Sequence, residues 1–212
     1  MSCNFSGRNV VVTGGHGALG EAVVAVLARY DATVHVPPRE VRLDDEPATV
    51  AYYASLPTLW ASIHLVGGFA MNPILDTSLA EFERQWRINA SSCFLACREA
   101  VRALRRGDGG RIVNVASRAA VAPSPNMTAY VAAKASVAAL TQALAAEVLG
   151  DRILVNAVLP SIIDSPANRS AMPAVDPSGW PQPAAIGETI AWLASPENAL
   201  TSGALIPVYG RA

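Results

Sequence analysis

The chain of 212 residues is 51% hydrophobic and 16% charged, which suits a domain with a sizeable core and excludes a disordered chain. Its formal net charge of −1 gives no basic surface of the kind that binds nucleic acid. No apolar run is long enough to span a bilayer, and residues 1–8 contain no apolar signal segment, so we expect a cytoplasmic protein without a membrane partner.

Short apolar runs alternate with helical stretches along the whole chain. Strands are predicted at residues 9–12, 33–36, 62–66, 111–116, 153–159 and 204–208, with a brief one near Val41. Helices are predicted at residues 18–29, 79–106 (interrupted near Arg87), 127–149 and 184–194, with a short one near Thr49. Because the strands are apolar on both faces, residues 1–212 are predicted to form a single α/β domain. Its architecture is a Rossmann-like, doubly wound parallel sheet of about seven strands with helices on both faces.

A glycine-rich turn follows the first strand. Residues 13–20 read Thr-Gly-Gly-His-Gly-Ala-Leu-Gly, and the first helix begins inside this stretch. A pyrophosphate needs backbone N–H groups at a helix N-terminus with no Cβ in the way, and glycines meet that need. A purely structural turn also uses glycine, but the position at the start of an alternating chain favours dinucleotide binding. The candidate cofactor contacts in the turn are Gly14, His16, Gly17, Ala18, Leu19 and Gly20.

Tyr130 and Lys134 lie four residues apart on the Ala-rich helix and therefore share one helix face. Ser117 follows the strand at residues 111–116, where it can face the same cleft. An ammonium group near a phenol stabilises the phenolate and lowers the phenol pKa, and a serine hydroxyl can hydrogen-bond a carbonyl oxygen. The trio predicts proton transfer at a carbonyl or alcohol group, with the hydride supplied by a nicotinamide.

With these motifs, essentially the whole chain resembles the short-chain dehydrogenase/reductase family. The resemblance implies that Ser117, Tyr130 and Lys134 are catalytic and that Asn89 supports a proton relay. The further cofactor contacts that it implies are Asp44 at the adenine, Gly67, Tyr130, Lys134 at the nicotinamide ribose, Pro160, and Ile163 and Ser165 at the carboxamide.

Three positions depart from the family pattern. Ala18 stands where a glycine is common, Leu-Val-Gly-Gly at residues 65–68 replaces Asn-Asn-Ala-Gly, and Ser161 replaces a glycine. Stretches at residues 14–20 and 159–180 look like dihydropteridine reductases, which generally lack the serine and the asparagine. Ser117 and Asn89 therefore favour an ordinary carbonyl or alcohol substrate, with a quinonoid pterin as the alternative. A non-catalytic module that senses or binds NAD(P) is a further alternative, which the intact trio disfavours.

The end of the second strand indicates the type of nicotinamide cofactor. An acidic residue there binds the adenosine ribose hydroxyls and disfavours a 2′-phosphate, but this chain has Pro37 and Pro38 followed by Arg39. The missing acid favours NADP over NAD. Arg39 is the candidate partner of the 2′-phosphate, although an exposed arginine in a turn explains it equally well.

The proline-rich residues 165–183 are predicted to form a short lid over a small-molecule substrate. Candidate substrate contacts are Asn168, Met172 and Trp180 in the lid and Arg118 beside Ser117. Closure of the loop against the body explains Met172 and Trp180 equally well. The family resemblance also implies a homodimer or homotetramer, formed by the helices at residues 79–106 and 127–149.

Cys93 and Cys97 are four residues apart and can share a helix face. We interpret this pair as buried apolar packing, because free cysteine is usually a small core residue. Two thiols without a nearby histidine make a poor metal site, so no metal is expected.

Overall fold

The computed structural model describes residues 3–211. Its centre is one parallel sheet whose strands lie in the order β2-β1-β3-β4-β5-β6. The strands are β1 (Asn9–Thr13), β2 (Thr33–His35), β3 (Leu59–His64), β4 (Gly110–Val115), β5 (Ile153–Pro160) and β6 (Leu205–Val208). Strand order reverses between β1 and β3, as in doubly wound folds, so the predicted architecture is confirmed.

The strand predicted near Val41 is absent from the described residues, which leaves six strands rather than about seven. The Val41 N–H donates to the Pro38 carbonyl and closes a turn. Two prolines at positions 37 and 38 lack the N–H groups that a sheet ladder needs, which explains why β2 ends at His35.

Residues 3–211 contain seven α-helices: α1 (Ala18–Arg29), α2 (Glu46–Ala54), α3 (Leu79–Trp86), α4 (Ser92–Leu104), α5 (Thr128–Glu147), α6 (Pro166–Ala171) and α7 (Pro183–Ala194). Side-chain oxygens of Asp45, Ser78 and Ser165 cap the N-termini of α2, α3 and α6. One apolar core lies between the sheet and α1 with α7, and the other lies between the sheet and α4 with α5.

The predicted interruption near Arg87 is confirmed as a π-helical turn over Arg87–Ser91, between α3 and α4. The Ser92 hydroxyl donates to the Ile88 carbonyl at 2.6 Å inside this turn. π-Helical turns inside α-helices are frequent at functional sites, and this one carries Asn89.

Helix α5 is, among the described residues, the one helix long and apolar enough to cross a membrane by length and composition. It packs against β5 and α3 and carries the buried Lys134. We therefore interpret it as a core helix of the layered fold.

Candidate active site

The carboxyl ends of β3, β4 and β5 border one cavity of about 290 Å³. This is the edge of a parallel sheet at which ligands bind in doubly wound folds. Predicted site residues from six separate parts of the chain meet there. The lining residues include Leu19, Gly67, Asn89, Ser117, Tyr130, Lys134, Pro160 and Ile163.

Lys134 is the only lysine of the chain, against fifteen arginines. Its side chain is 6% exposed, and Nζ donates to the Val115 carbonyl at 2.9 Å, where β4 ends. Burial lowers the pKa of Lys134 to about 8, and the nearby Cys93 opposes this effect. The ammonium is thus held by a carbonyl oxygen and has donors left for a ligand in the cavity.

Tyr130 lies beside Ser117 and Phe69. Its ring meets the Phe69 ring edge to face with centroids 5.0 Å apart, and both Tyr130 and Ser117 line the cavity. Burial raises the pKa of Tyr130, and the Ser117 hydroxyl offsets part of that rise. We expected Lys134 to lower the pKa of Tyr130. In the protein without a bound cofactor, desolvation of the phenol is the larger effect, and the pKa is raised instead.

Asn89 fixes the backbone that follows β3. Its Oδ1 accepts from the Gly68 N–H at 3.1 Å, and its Nδ2 donates to the Gly68 carbonyl at 2.9 Å. A Cβ on Gly67 would lie 2.7 Å from Asn89 Oδ1 and 3.2 Å from Lys134 Nζ, so a larger residue here would displace the Asn89 side chain. The side chain of Asn89 therefore positions the cavity wall beside the lysine.

The glycine turn packs against the same wall. Gly14 has φ +70°, and a Cβ on it would lie 2.8 Å from the Leu65 carbonyl carbon. A Cβ on Gly20 would lie 2.2 Å from the Gly14 carbonyl oxygen. Gly17 precedes α1, and no side chain caps that helix terminus. His16 and Ala18 are exposed, whereas Leu19 reaches the cavity. The first turn of α1 thus presents backbone N–H groups next to the cavity.

A second cavity of about 390 Å³ lies on the other side of residues 65–67. Its walls include Leu43, Val66 and Ile88. Asp44 also lines it and is paired with Arg42 at 3.0 Å and with Arg87 at 3.5 Å. The hydrogen bond from Arg42 holds the pKa of Asp44 below its ordinary value.

Arg39 lies close to the glycine turn. It is exposed, and its Nη2 lies 3.5 Å from the His16 carbonyl oxygen. His16 in turn contacts the Pro37 carbonyl through Nε2 at 3.1 Å. The turn after β2 and the glycine turn after β1 are therefore adjacent.

The segment after β5 uses its polar residues mainly for its own folding. Ser165 Oγ accepts from the Asn168 N–H at 3.2 Å, and Asn168 Nδ2 donates to the Ile163 carbonyl at 2.7 Å. Trp180 is only 5% exposed, and it does not line the cavity. Neither does Arg118, whose guanidinium lies 5.1 Å from the Tyr209 ring centroid. Met172 is half-buried and is likewise outside the lining.

The sequence analysis did not identify two groups that contribute to the site. Phe69 packs on the ring of Tyr130, and the Val115 carbonyl holds Lys134. Phe69 directly follows Gly67 and Gly68, so an aromatic residue after that strand-end turn was the available signal. The position of a backbone carbonyl cannot be predicted from residue types.

The single lysine permits a direct measurement of its ionisation. In protein labelled with ¹³C at the lysine ε-carbon, we expect one resonance that titrates with a midpoint near pH 8 instead of near 10.5, because the ammonium is desolvated. Lys134→Arg should remove that resonance and so confirms the assignment. A midpoint above about 10, the value of an exposed lysine, would contradict the buried position.

Comparison with known proteins agrees with this geometry. A family model described as enoyl-(acyl carrier protein) reductase matches residues 2–210. A 2-dehydro-3-deoxy-L-rhamnonate dehydrogenase (NAD(+)) of Sphingomonas sp. is 32% identical, and the alignment covers 76% of this chain and 74% of that protein. A carbonyl reductase [NADPH] 2 of Sus scrofa is 30% identical over 80% of this chain and 78% of that protein.

The solved structures lead to the same conclusion. A dehydrogenase/reductase from Sinorhizobium meliloti 1021 superposes with a TM-score of 0.87 at 26% identity, and the match covers 99% of this chain and 96% of that one. The chain belongs to the short-chain dehydrogenase/reductase family and is an NAD(P)-dependent oxidoreductase that acts on an alcohol or carbonyl group.

Proposed function

We propose that Ser117, Tyr130, Lys134 and Asn89 form the catalytic site for hydride transfer between a nicotinamide and a small carbonyl or alcohol substrate. The observation that carries this proposal is their position around one cavity, with Ser117 and Tyr130 both in its lining and Lys134 buried beside them. The whole chain would act as one cofactor-binding unit, with residues 165–183 as its lid.

The described residues fit a dinucleotide. The uncapped N-terminus of α1 offers backbone N–H groups to a pyrophosphate, and Gly17, which precedes the helix, adds no side chain there. The two cavities flank residues 65–67, so one can take the nicotinamide end and the other the adenine end. When bound, the nicotinamide supplies or accepts the hydride.

Each polar residue has a distinct role in this proposal. Tyr130 donates a proton to the substrate oxygen during reduction and accepts it during oxidation. Its raised pKa keeps the phenol protonated at neutral pH, the form that reduction needs. Ser117 donates a hydrogen bond to the substrate oxygen. Lys134 binds ribose hydroxyls with the N–H donors that Val115 does not use.

The proposed role of Tyr130 as the general acid is tested by removing its phenol hydroxyl. In Tyr130→Phe we expect turnover to fall by at least about 100-fold, because the general acid is lost, while binding of NADPH persists. Oxidation of the reduced cofactor with a panel of ketones measures the first effect, and fluorescence titration measures the second. Tyr52→Phe, a change outside the cavity, should leave both unchanged. Full turnover in Tyr130→Phe would refute the assignment.

We further propose that the cofactor is NADP. Arg39 lies beside the glycine turn, and its guanidinium is exposed and can form a bidentate pair with a 2′-phosphate. The names of the relatives include both cofactors: the porcine carbonyl reductase is named for NADPH and the Sphingomonas dehydrogenase for NAD(+). Because these names do not decide between the two cofactors, the choice of NADP rests on the positive charge of Arg39 and on the missing acidic residue at the end of β2.

Substitution of Arg39 separates the two cofactors. Arg39→Ala should raise KM for NADPH by about 10-fold or more and leave KM for NADH unchanged, because only the 2′-phosphate loses a charge-assisted hydrogen bond. Arg106→Ala, which removes an exposed charge at the end of α4, is the matched control. Equal effects on both cofactors, or none on either, would exclude this role of Arg39.

A quinonoid pterin is the second candidate substrate. The aromatic face of Phe69 beside Tyr130 suits a flat heterocycle as well as a small ketone. Assays with both substrate classes decide between them. Binding of NADPH without turnover of any substrate would instead favour a sensor.

We propose that the protein is a cytoplasmic homodimer or homotetramer. Leu79, Phe82, Trp86 and Phe94 are exposed apolar residues on α3 and α4, with the Phe82 and Trp86 rings stacked 6.4 Å apart. Exposed apolar patches of this kind usually mark an interface. Helices α3 to α5 would then pair across a two-fold axis.

A charge on this apolar face tests the assembly. Trp86→Glu should reduce the mass in solution to that of one chain, because the carboxylate would be buried unpaired in the interface. Light scattering after gel filtration measures the mass. Leu200→Glu, which places the same charge on an exposed leucine between α7 and β6, should not change it. A monomeric wild-type protein would contradict the proposal.

A further inference from the structure

A polar cluster lies inside the core, on the side of the sheet covered by α4 and away from the glycine turn. Ligand atoms of His64, Cys93 and Cys97 all lie within 4.8 Å of one another, and all three residues are buried. Cys97 Sγ is 3.5 Å from His64 Nδ1. A zinc ion held by thiolates at about 2.3 Å in tetrahedral geometry needs sulfur atoms about 3.8 Å apart, so the cluster is close to that size.

A fourth candidate ligand, the side-chain oxygen of Asn114, faces this cluster. Asn114 Oδ1 is 2.8 Å from His64 Nδ1 and 3.4 Å from Cys97 Sγ. Its orientation is fixed, because Thr141 Oγ1 donates its proton to the Val137 carbonyl at 2.8 Å and can only accept from Asn114 Nδ2, at 2.9 Å. The amide oxygen therefore points at His64 and Cys97.

The second ring nitrogen of His64 has a hydrogen-bond partner, as is usual for metal-bound histidines. His64 Nε2 lies 2.7 Å from Ser62 Oγ, which lies 2.9 Å from the Tyr53 hydroxyl. Without an ion, His64 Nδ1–H donates to Asn114 Oδ1 at 2.8 Å. A bound ion takes the place of that proton, and the ring proton then lies on Nε2 and is donated to Ser62 Oγ. A hydrogen bond to the second ring nitrogen that fixes the tautomer is the common arrangement behind a metal-bound histidine.

We infer that His64, Cys93, Cys97 and Asn114 form a closed structural site for a thiophilic divalent ion such as Zn²⁺. Four protein ligands leave no open position, so the ion takes no part in hydride transfer. It links β3, β4 and α4 beneath the catalytic cavity. This inference does not depend on the proposed function.

The charges balance in this site. Binding releases the two thiol protons, and two thiolates neutralise a divalent ion. Lys134, which interacts electrostatically with Cys93, therefore faces a complex without net charge.

Cobalt(II) is the probe, because it reports both geometry and ligand type. Protein reduced and stripped with a chelator is incubated with Co²⁺, and a second sample is refolded in Co²⁺ so that burial does not limit access. We expect one ion per chain, visible d–d bands of tetrahedral cobalt, thiolate-to-cobalt charge-transfer bands in the near ultraviolet, release of two protons and displacement by Zn²⁺.

The three cysteines give a matched set of variants. Cys93→Ala and Cys97→Ala should each lose the charge-transfer bands, whereas Cys3→Ala should keep them, because Cys3 lies in the opposite core. Circular dichroism checks that each variant folds. X-ray absorption of zinc-loaded wild-type protein counts two sulfur ligands independently of any variant. Absence of thiolate bands in both wild-type samples, equal bands in Cys93→Ala, or fewer than two sulfur ligands would overturn the inference.

Discussion

The desolvated ammonium group of Lys134 is the constraint on which the site depends. An ammonium 6% exposed needs an acceptor, and the Val115 carbonyl at the end of β4 provides it at 2.9 Å. That contact requires α5 to cross the carboxyl end of β4 at close range, which its small alanine side chains permit. The same crossing brings Tyr130 to Ser117, so the position of one buried charge determines the geometry of the trio.

Helix α4 and the turn before it connect this site to the core. Asn89, Cys93 and Cys97 follow one another at intervals of four residues and therefore face the sheet as one row. Asn89 holds the backbone of Gly68 at the cavity, and Cys97 contacts His64 and Asn114 below it. The same helical face therefore contributes to both the cavity wall and the buried polar cluster. The π-helical turn lies at the N-terminal end of this face.

Electrostatics in the cavity follow from burial more than from pairing. Burial lowers the pKa of Lys134 and raises that of Tyr130, because each environment disfavours the charged form. At neutral pH this leaves a neutral phenol beside a charged amine, the combination suited to proton donation. The expectation from the spacing of Tyr130 and Lys134, an ammonium that lowers the phenol pKa, did not include this desolvation, which no local sequence pattern reports.

The sequence by itself determined the features that depend on local periodicity. Apolar runs gave the parallel strands, the spacing of Tyr130 and Lys134 gave a shared helix face, and the glycines at residues 14–20 gave the turn before α1. Only the tertiary structure decided the partners across long separations. It placed the Val115 carbonyl under Lys134 and His64 beside the cysteines, and it buried Trp180 instead of exposing it to substrate. The physical reason is that periodicity fixes which residues share a face, whereas packing of distant elements fixes what that face meets.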